Sequence, residues 1–301
     1  MIKVAFRSGS WFWFILIASL SFAQTDNDLY LFSLQLTSDG HYHIYAPKYL
    51  SGFNEEGYTI QPSFTSSGDL LVSVKKAGEN QYDIWQLSPS QKIVRRLTLT
   101  NATEFSPQIT PDGQFLSVLR KMPGEELDQQ VCIINLHSQE YKSITSDFHN
   151  VGNYTWMSAD ELGLYRIEGK DNRLSHFDIK DNKIRLITTS VGKTLSTDKN
   201  GFLVYVHEFD PEYWYIKKYN PESSHIDVVA VTPDKAEEFA LAPDGTYFMG
   251  KDHILYAINP EQQSTWDQIA DLSIYDIHFI NGIAISRDGR QLALVATEEK
   301  P

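Results

Sequence analysis

The sequence predicts an all-β fold made by repeating one four-stranded unit six times. Three observations carry this: a turn that returns in register, a strand–turn–strand segment behind each turn, and half a unit left over at each end. The turn is clearest in "ITPDGQFLSV" (109–118), where Pro-Asp-Gly separates an apolar residue from an apolar run. Glycine reaches φ > 0 without steric cost, which a tight turn requires. Near-copies are "FTSSGDLLVSV" (64–74), "LAPDGTYFMG" (241–250) and "ISRDGRQLALV" (285–295).

Aligned on the turn, the glycine falls at Gly68, Gly113, Gly201, Gly245 and Gly289, and "YTWMSADELGLY" (154–165) fits with Asp160 in its place. The spacings of 45, 47, 41, 44 and 44 residues match a four-stranded propeller blade of ~40–45 residues. Behind each of the first five turns come two more strand-like segments, as in "YDIWQLSPSQKIVRRLT" (82–98) and "LSHFDIKDNKIRLIT" (174–188). β-Branched and aromatic residues dominate them, and no long helical period competes. The last frame lacks its second half. "DLYLFSLQLTSDGHYHIYAP" (28–47) supplies it at the other end of the chain. The predicted architecture is a six-bladed β-propeller of four-stranded antiparallel blades. Residues 28–47 join roughly 278–297 in a composite blade that closes the ring and hides two sheet edges.

The N-terminus reads differently. Lys3 and Arg7 precede the uncharged run "WFWFILIASLSF" (11–22), and Ser21 and Ala23 make a small-residue cleavage site before Gln24. The run is short of the ~20 residues that span a bilayer. Residues 1–23 therefore read as a signal peptide and 24–301 as a single domain, exported to the periplasm or secreted, with no stable membrane span after cleavage. The one cysteine, Cys132 in "QVCIINL", excludes an intramolecular disulfide and reads as a small buried hydrophobe. A formal charge of −13 argues against nucleic acid as a partner.

"PQITPDG" (107–113) and "TWMSAD" (155–160) resemble the Pro-x-Trp-Ser-Pro-Asp-Gly signature of TolB-like propellers, the WD40-like repeat also called PD40. "YDIWQL" followed by "RRLT" is similar to that repeat's third and fourth strands, and the resemblance runs over residues 28–297. It is confined to the propeller part. TolB-type proteins carry a further N-terminal α/β domain, for which the stretch between Gln24 and Asp28 leaves no room. The repeat also looks like the propeller preceding the peptidase domain in dipeptidyl-peptidase relatives. The resemblance implies an exported propeller that binds proteins or peptides.

The residues themselves offer no nucleophile signature of the Gly-x-Ser-x-Gly kind. His41 and His43 share a strand face, yet no third metal ligand accompanies them, so a solvated face is the better reading. The aromatic run "EYWY" (212–215) reads as packing between blades. In a propeller, the loops from one blade's outer strand to the next blade's inner strand ring one mouth of the channel. Those loops hold Glu55, Glu56, Glu104, Asp147, Asp234, Glu237, Glu238 and Asp276 against Lys193 and Lys235, with Phe105, Tyr154, Phe239 and Tyr275 interleaved. Loops on a rigid scaffold carry binding. The expected function is a non-catalytic binding module or scaffold for a protein or peptide partner, cationic partners included, in the cell envelope. No catalytic residue, cofactor or metal is assigned. The alternatives are a metal-dependent hydrolase or lactonase holding Ca²⁺ on channel carboxylates, and a structural subunit of an envelope complex.

Overall fold

The computed structural model of the protein describes residues 27–297, apart from 39, 125–127 and 169–170. Residues 1–23, expected to be a signal peptide, lie outside the described residues. The strands follow the repeat. A first pair, β1 (Asn27–Leu36) and β2 (Tyr42–Tyr49), precedes five four-strand meanders. These are β3 (Tyr58–Phe64), β4 (Leu70–Lys75), β5 (Asp83–Ser88) and β6 (Ile93–Arg96); then β7 (Thr103–Ile109), β8 (Leu116–Lys121), β9 (Gln129–Ile134) and β10 (Tyr141–Ser143). Next come β11 (Val151–Trp156), β12 (Glu161–Glu168), β13 (Asp171–Asp178) and β14 (Lys183–Thr189); then β15 (Val191–Thr197), β16 (Leu203–His207), β17 (Tyr215–Tyr219) and β18 (Ile226–Val231). The fifth meander is β19 (Phe239–Leu241), β20 (Tyr247–Lys251), β21 (Ile254–Ile258) and β22 (Asp267–Asp271), and the last pair is β23 (Phe279–Ile285) and β24 (Gln291–Thr297).

Consecutive strands of each meander pair antiparallel, and four of the meanders are separate four-stranded sheets. The two end pairs meet: β1 runs antiparallel to β24 from Asn27↔Thr297 to Ser33↔Gln291, giving the order β23-β24-β1-β2. One parallel bridge, Asn27↔Tyr58, links this unit to β3–β6. The composite sheet expected from the half units at each end is therefore present.

Every frame-marking residue lies between the first two strands of its unit. At the clearest turn Gly113 has φ +75° and its N–H donates to Thr110 O (2.8 Å), while Asp112 Oδ1 accepts from Gln114 N (3.0 Å). Asp160, which replaces the glycine in the third frame, stays out of the left-handed region, and its N–H donates to Ser158 Oγ (3.3 Å). The turn chemistry thus changes where the motif degenerates, and the hairpin survives.

The core lies between sheets. Leu119 and Val131 pack against Tyr154, Leu164 and Phe177 across the gap from the second to the third full meander. Cys132 is buried, as expected, and burial pushes its thiol up to about 11. Close approach of neighbouring sheets depends on Gly163 of β12, where a Cβ would overlap the Leu203 side chain on β16. Gly163→Ala is expected to cost about 1–3 kcal/mol through overpacking. It would be read as an earlier urea midpoint with an unchanged slope.

Candidate functional site

The first strands β3, β7, β11, β15, β19 and β23 line one channel of about 520 Å³. Five of them break register near its wall: between Ile60 and Ser63, Phe105 and Gln108, Val151 and Asn153, Val191 and Leu195, and Ile280 and Gly282. The sequence cause is plainest in "QPS" (61–63) and "SPQ" (106–108), where proline cannot donate to a ladder. Gln61 and Ser106, each just before the proline, have φ +53° and +48°. Such bulges re-aim side chains.

The re-aimed polar groups tie one first strand to the next. Ser63 Oγ donates to Pro107 O (2.5 Å), and Ser106 N donates to Gln61 Oε1 (2.9 Å). Gln108 Nε2 donates to Tyr154 O (2.8 Å), and Asn153 Nδ2 to Lys193 O (2.8 Å). Lys193 N donates to Glu237 Oε1, and Thr194 Oγ1 to Glu238 Oε2 (3.0 Å). On the remaining flanks the contact is apolar: Ile280 covers Gly250 and Pro62 lies over Gly282.

The expected site residues divide sharply. Glu55 and Glu56 are exposed beyond the 3₁₀ turn Ser51–Phe53, and Asp276 is exposed with its carboxylate 3.4 Å from His278. These three are exposed loop residues outside the channel lining. Glu104 is not: it lies in β7 and is fully buried. It accepts from Thr100 (2.6 Å) and Thr98 (3.2 Å) and stands 3.7 Å from the Arg120 guanidinium. Burial holds its carboxyl above the usual range in spite of these partners. Tyr154 and Phe239 are core residues, and Tyr154 donates its hydroxyl to Ser117 (2.8 Å). Phe105 lies against Tyr82 with the rings tilted (5.0 Å), and Tyr275 and Phe32 meet edge to face (5.5 Å). Reading all of them as rim residues is thereby corrected. A strand begins before its loop ends, and its first side chains turn inward.

Glu237 and Glu238 sit at the inner lip with Lys193, whose Nζ is 3.1 Å from Glu238 and whose charge Glu238 stabilises above its ordinary range. Glu208, which the sequence reading missed, joins them. A Cβ on Gly192 would meet both Glu237 Cγ (2.8 Å) and Glu208 Oε1 (3.1 Å), so the two carboxyl side chains close over that glycine. Burial first, and then the Glu237 charge, push Glu208 up to about 7. A carboxyl whose folded pKa is raised favours the fold only while protonated. That contribution is complete below the unfolded value of ~4.3 and is lost as pH rises towards 7. Glu208→Gln stays neutral throughout. It is expected to raise the melting temperature at about pH 8 and leave it unchanged at about pH 4, by a small amount because the group is only partly buried.

Bases also reach this end, at the close of four of the second strands, β4, β8, β12 and β20. Lys75 pairs in register with Tyr58, Arg120 with Glu104 and Arg166 with Val151. Lys251 lies 3.9 Å from Asp234, and Lys235 Nζ donates to Pro211 O (2.6 Å). The signal was visible in "VSVKK", "SVLRK" and "FMGK", which a count over loops alone passed over. Among the described residues, no group of three or more His, Cys, Asp or Glu side chains is placed to hold a metal ion. His41 lies 3.1 Å from Asp267, and His43 is exposed.

Antiparallel four-stranded units whose first strands surround a channel define a β-propeller fold, as the repeat suggested, and TolB structures share that fold. The chain is similar to a protein provisionally assigned as TolB from Agrobacterium tumefaciens (TM-score 0.65, 11% identity, covering 92% of this chain and 100% of that one). It is also similar to TolB from Acinetobacter baumannii (0.57, 13%, 89% of this chain), of whose length it spans 64%. A third likeness is to a protein provisionally assigned as a gluconolactonase (0.54, 9%, 81% of this chain and 91% of that one). No family model and no curated protein matches the sequence. Likeness at these identities shows the fold, and the same fold hosts unrelated activities.

Proposed function

We propose that the protein is an exported, non-catalytic binding module for a protein or peptide partner in the cell envelope, built as a closed six-bladed ring with its contact surface at the acidic channel mouth. The observation that carries this reading is the rim itself. Glu55, Glu56 and Asp276 are exposed on loops that lead into the bulged first strands β3 and β23, and Asp234 is exposed on the loop that leads into β19. Rigid walls with exposed charges on the loops above them suit recognition, and the charges focus the field on an approaching cation. Glu237 deepens the negative lip, while Lys193 and Glu238 neutralise each other inside it. Removal of residues 1–23 by cleavage after Ala23 would bring the chain to its partner, and intact mass of envelope-derived protein reads it directly.

The test is cross-linking in envelope extract to identify the partner, followed by kinetics. Rim charges set association rate and salt dependence more than dissociation. The triple change Glu55→Lys, Glu56→Lys, Asp276→Lys is expected to slow association by about tenfold at low salt and to flatten its salt dependence. Unchanged association at low salt would move the contact away from this mouth.

A further inference from the structure

A second cavity is larger than the channel. It is a cleft of about 940 Å³ at the opposite, hairpin end of the molecule. It exists because β1 outruns its partner. Pairing with β24 stops at Ser33↔Gln291, while β1 continues with β2 alone as far as Leu36↔Tyr42. The overhanging hairpin is latched to the neighbouring sheet by Tyr42, whose hydroxyl donates to Asp244 (2.8 Å). Its other side faces the turn 286–290 across the cleft.

Two features of the walls point to one kind of ligand. Six of the eight described arginines are engaged: Arg95 with Gln86, Arg96 with Asp83, Arg120 with Glu104, Arg166 and Arg173 with Glu168, and Arg185 with His176. The other two, Arg287 and Arg290, stand exposed together on the cleft wall, and neither guanidinium has a hydrogen bond or ion pair among the described residues. The nearby carboxylates are turned into their own hairpins. Asp288 Oδ1 accepts from Ser286 Oγ (2.6 Å) and Arg290 N (3.1 Å), and Asp244 accepts from Thr246 N (3.0 Å).

The second feature is a free strand edge. Leu34 N donates to Arg290 O (2.7 Å), the last bond across to that side. Peptide groups alternate sides along a strand, so the Leu36 N–H points the same way, past the end of β24. Leu36 and Tyr45 beside it are half exposed.

We infer that this cleft binds an extended acidic peptide segment, which adds to the edge of β1 at Leu36 and places carboxylates on Arg287 and Arg290. Guanidinium forks grip carboxylates in two-point fashion, and main-chain pairing supplies the register. The site lies apart from the channel mouth and does not depend on its function.

The test uses fluorescence anisotropy of a labelled peptide alternating glutamate and valine, titrated with the purified chain. Saturable binding is expected. Arg287→Gln with Arg290→Gln should weaken it at least about tenfold. The melting curve of that variant should lie close to the parent's, because neither guanidinium makes a hydrogen bond or ion pair among the described residues and the Arg290 charge is only a lesser influence on Asp288. A peptide N-methylated at alternate residues should also bind more weakly, and a lysine–valine peptide should not bind. Equal affinity for the parent and the double variant overturns the assignment, as does failure of the acidic peptide to bind. An oligouronate that competes as tightly and needs the same arginines would give the cleft to acidic sugars and overturn the peptide reading.

Discussion

Glu104→Lys is expected to lower the stability of the protein by about 3–5 kcal/mol, the range found when one partner of a buried ion pair is removed. The position has no exposed surface, and the incoming ammonium would face Arg120 instead of a carboxylate. Thr98 and Thr100 would lose their common acceptor, and Tyr141, whose hydroxyl lies 3.4 Å from Glu104, would lose its partner as well. Guanidinium-induced unfolding measures the change. A cost within about 0.5 kcal/mol, as for an ordinary surface substitution, would return Glu104 to the rim. Glu104→Gln separates charge from shape. It keeps one acceptor for the threonines and should cost less than the lysine.

Removal of residues 27–49 should abolish cooperative unfolding and yield soluble oligomers on size exclusion. It takes away Leu29, Leu31 and Phe32, all buried, and strips β24 of its partner. An unpaired apolar edge recruits other chains. A monomeric deletion variant with an unchanged melt would mean that the β1–β24 pairing contributes nothing to the fold.

The strands were legible because their signals are local. Pro-Asp-Gly and its variants mark each first hairpin, and Gly68, Gly113, Gly201, Gly245 and Gly289 all fall between the first and second strands of their units with positive φ. The pairing of β1 with β24 was legible too, since only half units at both ends demanded it. The mouth was legible in part. Glu55, Glu56 and Asp276 are exposed as expected, while Glu104, Tyr154 and Phe239 are inside. A bulge resets which residues of a strand face which side, and the breaks at Phe105/Gln108 and Val151/Asn153 cannot be counted from alternation alone. Glu208 was missed because it closes a second strand, and only the register of β16 brings it to Glu237. The cleft beside Arg287 was missed for another reason: the motif directs attention to Asp-Gly, and the charges flanking it look like ordinary turn solvation.

The pairing of the chain's two ends also sets a clock. Asn281 Nδ2 donates to Asn27 Oδ1 (3.1 Å) across 254 residues of sequence. Ribosomes add about 5–20 residues per second, so roughly 13–50 s separate the synthesis of these two residues. Throughout that interval β1 has no β24 to cover it, and Leu29, Leu31 and Phe32 must wait in an unfinished molecule. The first strand to be made is among the last to be housed. The interval is long compared with the ~1–10 μs in which a hairpin such as β1–β2 forms. That hairpin therefore forms and reforms many times before its final neighbour arrives, with the β1 edge that β24 will cover left open throughout.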